Sequence, residues 1–101
     1  MATHLDQSKA LASHARVSIL NWLRAPQEHF AHQETGDPAE IGVCVTLLTE
    51  KLKMSQPTVS RHLELLKRAN FVTTKRIGRW SFFARNEKGI AAYKHWLNES
   101  L

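Results

Sequence analysis

The side chains best suited to chemistry in this 101-residue chain fall into three groups. The first is a single thiol, Cys44. The second is His29-x-x-His32, followed by Glu34, Asp37 and Glu40. The third is a run of donors and acceptors, Ser55, Gln56, Thr58, Ser60, Arg61 and His62, with Lys75, Arg76 and Arg79 further on. Each group points to a different chemistry. A thiol in the first turn of a helix has a lowered pKa and can sense oxidants or electrophiles, while a buried one is a small hydrophobe. Two histidines one turn apart with carboxylates nearby can gather a borderline cation, or simply face water in a loop. The third group suits a nucleic acid: a guanidinium can grip guanine O6 and N7 or a phosphate, and Gln and Thr can meet base edges. Paired carboxylates, a nucleophile beside a base and a glycine-rich phosphate loop are all missing, so neither an enzyme nor a cofactor is expected.

The third group needs a helix to hold it. Ser55 can cap a helix running from Gln56 to Ala69, and Pro57 sits near its first turn, where a missing N–H costs nothing. Val59, Leu63 and Leu66 recur at i, i+4 and i+7 and form one apolar face. At about 100° per residue, Arg61 points away from that face, with Pro57, Thr58 and Glu64 beside it. Gln56 and Thr58 then lie where base edges are met, Ser55 and Ser60 serve as cap and phosphate ligands, and Arg61 contacts a base or a phosphate. His62, at the edge of the apolar face, is either structural or a reader. A shorter helix from about Val45 to Lys53, with Leu48 and Leu52 inward, precedes the turn at Met54-Ser55, which makes a helix-turn-helix.

After Asn70, a residue tolerant of the left-handed conformation, the period changes. Phe71–Ile77 and Trp80–Ala84 are β-branched and aromatic, and Gly78-Arg79 between them is a hairpin signal with positive φ at the glycine. Lys75, Arg76 and Arg79 would place cations on this wing, for phosphate contacts or as a solvated hairpin. Upstream, Leu5–Leu11 reads as a first helix, and Ser13 caps a second, His14–Arg24, built on Val17, Leu20 and Leu23 and ended by Pro26. Residues 25–40 show no period and read as a long connection, mobile or functional. Glu87–Leu101 returns to helical spacing through Ile90, Tyr93 and Leu97. The expected fold is mainly α with a small β-hairpin: four helices, a hairpin and a fifth helix, a winged helix-turn-helix in one domain over residues 1–101.

Charge sharpens this. The net charge is +5, yet residues 51–79 hold Lys51, Lys53, Arg61, Lys67, Arg68, Lys75, Arg76 and Arg79 against Glu64 alone. A polyanion such as double-stranded DNA fits that block, with Lys51, Lys53 and Lys67 as general charge. A winged-helix protein-interaction module is the competing function, although protein interfaces tend to lose charge at their cores. Hydrophobic content of 43% with no long apolar run leaves no membrane span. The start Met1–Asp6 lacks a secretory layout and one cysteine cannot form an internal disulfide, so a cytoplasmic protein is expected.

Three segments together, Lys9–Leu20, Leu52–Leu63 with its S-Q-P-T-x-S-x-H-L run, and Arg76–Trp80 with its R-x-G-R-W turn, resemble the ArsR/SmtB family of bacterial winged-helix repressors. The resemblance covers most of residues 9–97 and implies a homodimer joined through the first and last helices, about residues 4–12 and 87–101, released from an inverted-repeat operator by an inducer. The apolar stripe Ile90, Tyr93, Trp96 and Leu97 gives independent support for a dimer, unless it packs on the first helix of the same chain. Metal-sensing members carry a Cys-x-Cys pair on the third helix. Here Cys44 matches the first position, Thr46 stands at the second and Leu47 follows, a poor soft-metal set. The last helix offers only His95 and Asn98 in place of that family's repeated Asp and His. Metal sensing by either arrangement is not expected, which leaves Cys44, His29 and His32 as the sensor candidates.

Overall fold

The computed structural model describes residues 3–101; Met1 and Ala2, which open the stretch read for a secretory layout, lie outside the described residues. The first helix, α1 (His4–Ala10), begins at a capping box in which the Thr3 hydroxyl accepts from the Asp6 N–H and the Asp6 carboxylate accepts from the Thr3 N–H. These hydrogen bonds hold the Asp6 carboxyl below its usual range. The helix α2 (His14–Arg24) starts at Ser13, as its cap chemistry predicts.

Residues 25–40 are not the unstructured connection their sequence suggests. They contain α3 (Pro26–Phe30) and α4 (Pro38–Ile41), each opened by a proline at its first position. Proline marks a helix start as readily as a helix end, and five- and four-residue helices are too short to show a period. Phe30, fully buried, anchors this segment to the core. Gln33 ties it down further: its Nε2 donates to the carbonyls of Gly36 and Gly42, both at 3.0 Å, and its Oε1 accepts from the Cys44 N–H at 2.9 Å.

Three strands form one antiparallel sheet in the order β1 (Val43–Cys44), β3 (Trp80–Arg85), β2 (Val72–Ile77). The hairpin is as expected; β1 is not, since two residues carry no alternation to read. Val43 pairs with Phe83 and Cys44 with Phe82. Between strand and hairpin lie α5 (Val45–Leu52) and α6 (Gln56–Arg68), and α7 (Glu87–Ser100) closes the chain from an Asn86 cap.

The core gathers one face of each element: Ile19 and Leu23 from α2, Phe30, Val43, Leu48 from α5, Val59, Leu63 and Leu66 from α6, Phe71, and Ile90 and Tyr93 from α7. The last pair answers part of the case for a dimer, because both are buried within the chain and only Trp96 and Leu97 of that stripe remain partly exposed. Trp96 itself stacks on His4 of α1, with ring centroids 4.5 Å apart, and the Tyr93 hydroxyl lies 2.6 Å from Ser8 Oγ. The two terminal helices are thus fastened to each other inside one protomer. Among the described residues no helix is long and apolar enough to cross a membrane.

Candidate nucleic-acid interface

The turn between α5 and α6 is set by backbone and cap. Lys53 closes α5 in the left-handed conformation at φ 57°, and Ser55 then caps α6. The Ser55 hydroxyl accepts from the Thr58 N–H at 3.4 Å and lies 2.9 Å from Thr58 Oγ1, so both hydroxyls are engaged at the helix start. Val59, Leu63 and Leu66 are sealed in the core, while Gln56, Thr58, Ser60 and Arg61 are all exposed, Thr58 and Arg61 away from the buried stripe and Gln56 and Ser60 at its flank. Their alternation in burial is the amphipathic pattern of the sequence realised on one short helix. Glu64, the lone carboxylate of the basic segment, pairs with Arg68 one turn on at 3.2 Å. That exposed pair adds little stability, but it offsets the one negative charge beside the face.

Gly78 takes φ 61° and reverses the chain between Ile77 and Trp80, which face each other across the hairpin. The wing cations do not share one side. Lys75 stands opposite Phe82 and Arg76 opposite Ser81, so successive residues point to opposite faces, and Arg79 sits at the tip. Arg76 Nε donates to the Gly78 carbonyl at 3.2 Å, and the Arg79 guanidinium lies 5.4 Å from the Trp80 ring. All three are exposed. An edge-on or tip-on approach to a phosphate backbone would let both faces contribute.

One basic residue has another task. Lys51 places its ammonium 5.2 Å from the Trp22 ring and 5.7 Å from that of Phe30, a cation–π contact that joins α5 to α2 and α3. Its charge stays at the surface, since the residue is exposed.

The sensor candidates occupy different surroundings. Cys44 is only 4% exposed and lies on the same side of its strand pair as Phe82. It borders a cleft of about 300 Å³ with His32, Glu34, Thr46, Leu47 and Trp80. His29 instead packs against Trp22 and Phe30, at 6.5 and 6.3 Å between ring centroids. Among the described residues, no group of three or more His, Cys, Asp or Glu side chains comes together to hold a metal ion. His95 and Asn98 are exposed on α7.

Two arginines make contacts that sequence reasoning missed. Arg85 donates to the Leu20 carbonyl at 3.3 Å and grips Glu87 with Nε at 2.9 Å and a terminal nitrogen at 3.1 Å, holding the Glu87 carboxyl below its usual range. Arg16, which looks in sequence like one more surface cation on α2, reaches across to His62 on α6 at 3.0 Å.

A family model described as "Bacterial regulatory protein, arsR family" matches residues 43–74, the stretch from β1 through α6 into β2. Over 97 residues the chain is 41% identical to an HTH-type transcriptional regulator of Bacillus subtilis, YbzH, covering 96% of this chain and 97% of that protein. It is 37% identical over 71 residues to the HTH-type transcriptional repressor SmtB of Mycobacterium tuberculosis, covering 70% of this chain and 42% of that one. Among solved structures, an ArsR family transcriptional regulator superposes with a TM-score of 0.71 at 22% identity, covering 99% of this chain and 92% of that one. HlyU from Vibrio vulnificus superposes with a TM-score of 0.59 at 28% identity, over 96% and 86% of the two chains.

Proposed function

Because the chain belongs to the ArsR family of bacterial regulatory proteins, a family of DNA-binding transcriptional regulators rather than enzymes, we propose that it acts as a homodimeric repressor on an inverted-repeat operator. In this reading α6 enters the major groove. Gln56, Thr58 and Arg61 meet base edges, Ser55 and Ser60 meet phosphates, and Lys75, Arg76 and Arg79 of the wing lie along the backbone. The observation that carries it is the solvent side of α6: four polar or cationic side chains stand exposed on a helix whose apolar face is sealed in the core. A recognition helix needs that division, because packing fixes its orientation while its free side chains read.

The dimer rests on exposed apolar surface at the terminal helices. Leu5 of α1 is 63% exposed, and Trp96 and Leu97 of α7 are only partly covered. Two α6 helices related by a twofold axis would fall about 34 Å apart, one duplex turn, or a multiple of it. Repression as the direction of control draws support from the repressor SmtB among the relatives.

Fluorescence anisotropy on the duplex upstream of the chain's own gene tests this, with a salt titration. Affinity should fall with a log–log slope of about −0.9 for each phosphate neutralised. Binding insensitive to salt, or no preference for that duplex over random DNA, would overturn the proposal.

A further inference from the structure

Arg16 is bound on three sides. Its Nε donates to the Ala10 carbonyl at 2.6 Å, and one terminal nitrogen lies 3.5 Å from the Lys9 carbonyl. Both are last-turn carbonyls of α1, where a cation is favoured; that of Lys9 also accepts from the Ala12 N–H at 3.1 Å. The other terminal nitrogen lies 3.0 Å from His62 Nδ1. A guanidinium has five donors, no acceptor, and does not lose its proton in proteins. In this contact it must donate, so Nδ1 must accept. His62 is therefore neutral, with its one ring proton on Nε2, and Nε2 makes no hydrogen bond to any described residue.

The placement of His62 matters next. It lies one turn beyond Thr58 on α6, partly exposed, at the flank between the buried stripe and the outer face. A side chain there does not stand at the centre of the exposed face; with α6 in the major groove it would stand toward the strand backbone. Building on the DNA-binding reading above, we infer that Arg16 is a positioning residue for DNA binding, holding His62 in the neutral Nε2–H form so that this N–H donates to a backbone phosphate oxygen. The guanidinium at Nδ1 polarises the ring and strengthens the opposite N–H, so part of the Arg16 charge acts on DNA through an uncharged imidazole. The same contact ties the recognition helix to the end of α1.

Protonation of His62 would set two donors and two positive charges face to face. Burial, and then the Arg16 charge, both hold the His62 pKa below its ordinary value. Arg16 of α2 is the ionised group acting directly on the ring; Asp6 and Lys9 of α1 and Arg68 of α6 border the cleft that Arg16 lines.

Two measurements on the full chain test this independently. Without DNA, a long-range proton–nitrogen correlation spectrum of the imidazoles at neutral pH should show His62 protonated at Nε2 and bare at Nδ1. The opposite tautomer or a charged ring overturns the inference whether or not DNA binds. On the duplex upstream of its gene, His62→Asn keeps an acceptor for Arg16 but lacks the far donor. It should bind about tenfold more weakly with an unchanged melting temperature. His62→Gln, whose amide nitrogen reaches the place of Nε2, should recover to within about threefold. Arg16→Met should acquire a tightening of about tenfold between about pH 8 and pH 5.5, as the released ring takes a proton beside phosphate. That tightening should vanish in Arg16→Met/His62→Asn, where the other histidines are unchanged. Wild-type protein that binds no duplex overturns both proposals. His62→Asn binding as tightly as wild type, or no pH response in Arg16→Met, overturns this one alone.

Discussion

Arg61 and Arg16 differ in nothing at the level of residue type, yet one is exposed to solvent and the other is held by three partners. Their substitutions should therefore behave differently. Arg61→Ala should lose about 1–3 kcal/mol at the operator and relax the sequence preference, measured as the ratio of operator to random-duplex affinity. Equal weakening on all duplexes would make Arg61 a phosphate ligand instead. Cys44 is the opposite case, a thiol almost wholly buried beside Phe82 at the edge of a cleft. Cys44→Ser should leave operator affinity within about twofold, while an unpaired buried hydroxyl costs about 1–3 kcal/mol in a urea titration. Peroxide should release neither protein from DNA. Release of the wild type but not of Cys44→Ser would make this thiol a sensor.

Among the elements, the long amphipathic helices and the hairpin could be read from the chain because each carries its own signal. The seven residues Ser55, Pro57, Val59, Leu63, Leu66, Asn70 and Gly78 mark cap, first turn, buried face, helix end and hairpin turn. Asn70 does take φ 66°, the left-handed state expected of it. Short elements carried no such signal: α3, α4 and β1 are held by burial of Phe30, by the Gln33 hydrogen bonds within residues 33–44 and by pairing with the distant β3, none of which a period or cap announces. Gly89 shows the same limit. It looks like a weak point in α7, but a Cβ there would meet the Asn70 carbonyl oxygen at 1.9 Å. The glycine lets α7 press against the turn that follows the recognition helix. Gly89→Ala should cost about 1–3 kcal/mol by forcing these backbones apart, despite alanine's better helix propensity, seen as a lower urea midpoint. A stabilised Gly89→Ala would mean the two segments separate without loss.

For the molecule as a whole, the division of labour is between a folded protomer and its proposed dimer. α1 and α7 are already joined by His4 on Trp96 and by Ser8 with Tyr93, so a protomer does not need a partner to hold them together. The dimer would form on what they leave outside. Leu5→Glu should therefore shift sedimentation at micromolar concentration toward the monomer and weaken operator binding, while changing stability by no more than about 0.5 kcal/mol at dilutions where both proteins are monomeric, as for an exposed site. An undisturbed dimer would place the interface elsewhere on the protomer.

Sequence by itself determined the helix-turn-helix, the wing, the cationic block of residues 51–79 and the family resemblance. These depend on local periodicity, caps, turn residues and charge, which neighbours along the chain specify. It also pointed to which side chains of that helix would be exposed, since the residues outside a buried face are known once the face is known. Tertiary structure alone decided which cations have partners inside the fold. Arg85 is engaged by Leu20 and Glu87, Arg16 by Ala10 and His62, and Lys51, though exposed, lies beside the Trp22 and Phe30 rings. Arg16 and His62 are 46 positions apart, and no period or motif joins residues at that distance. Only the packing of α2 against α6 brings a guanidinium to the imidazole.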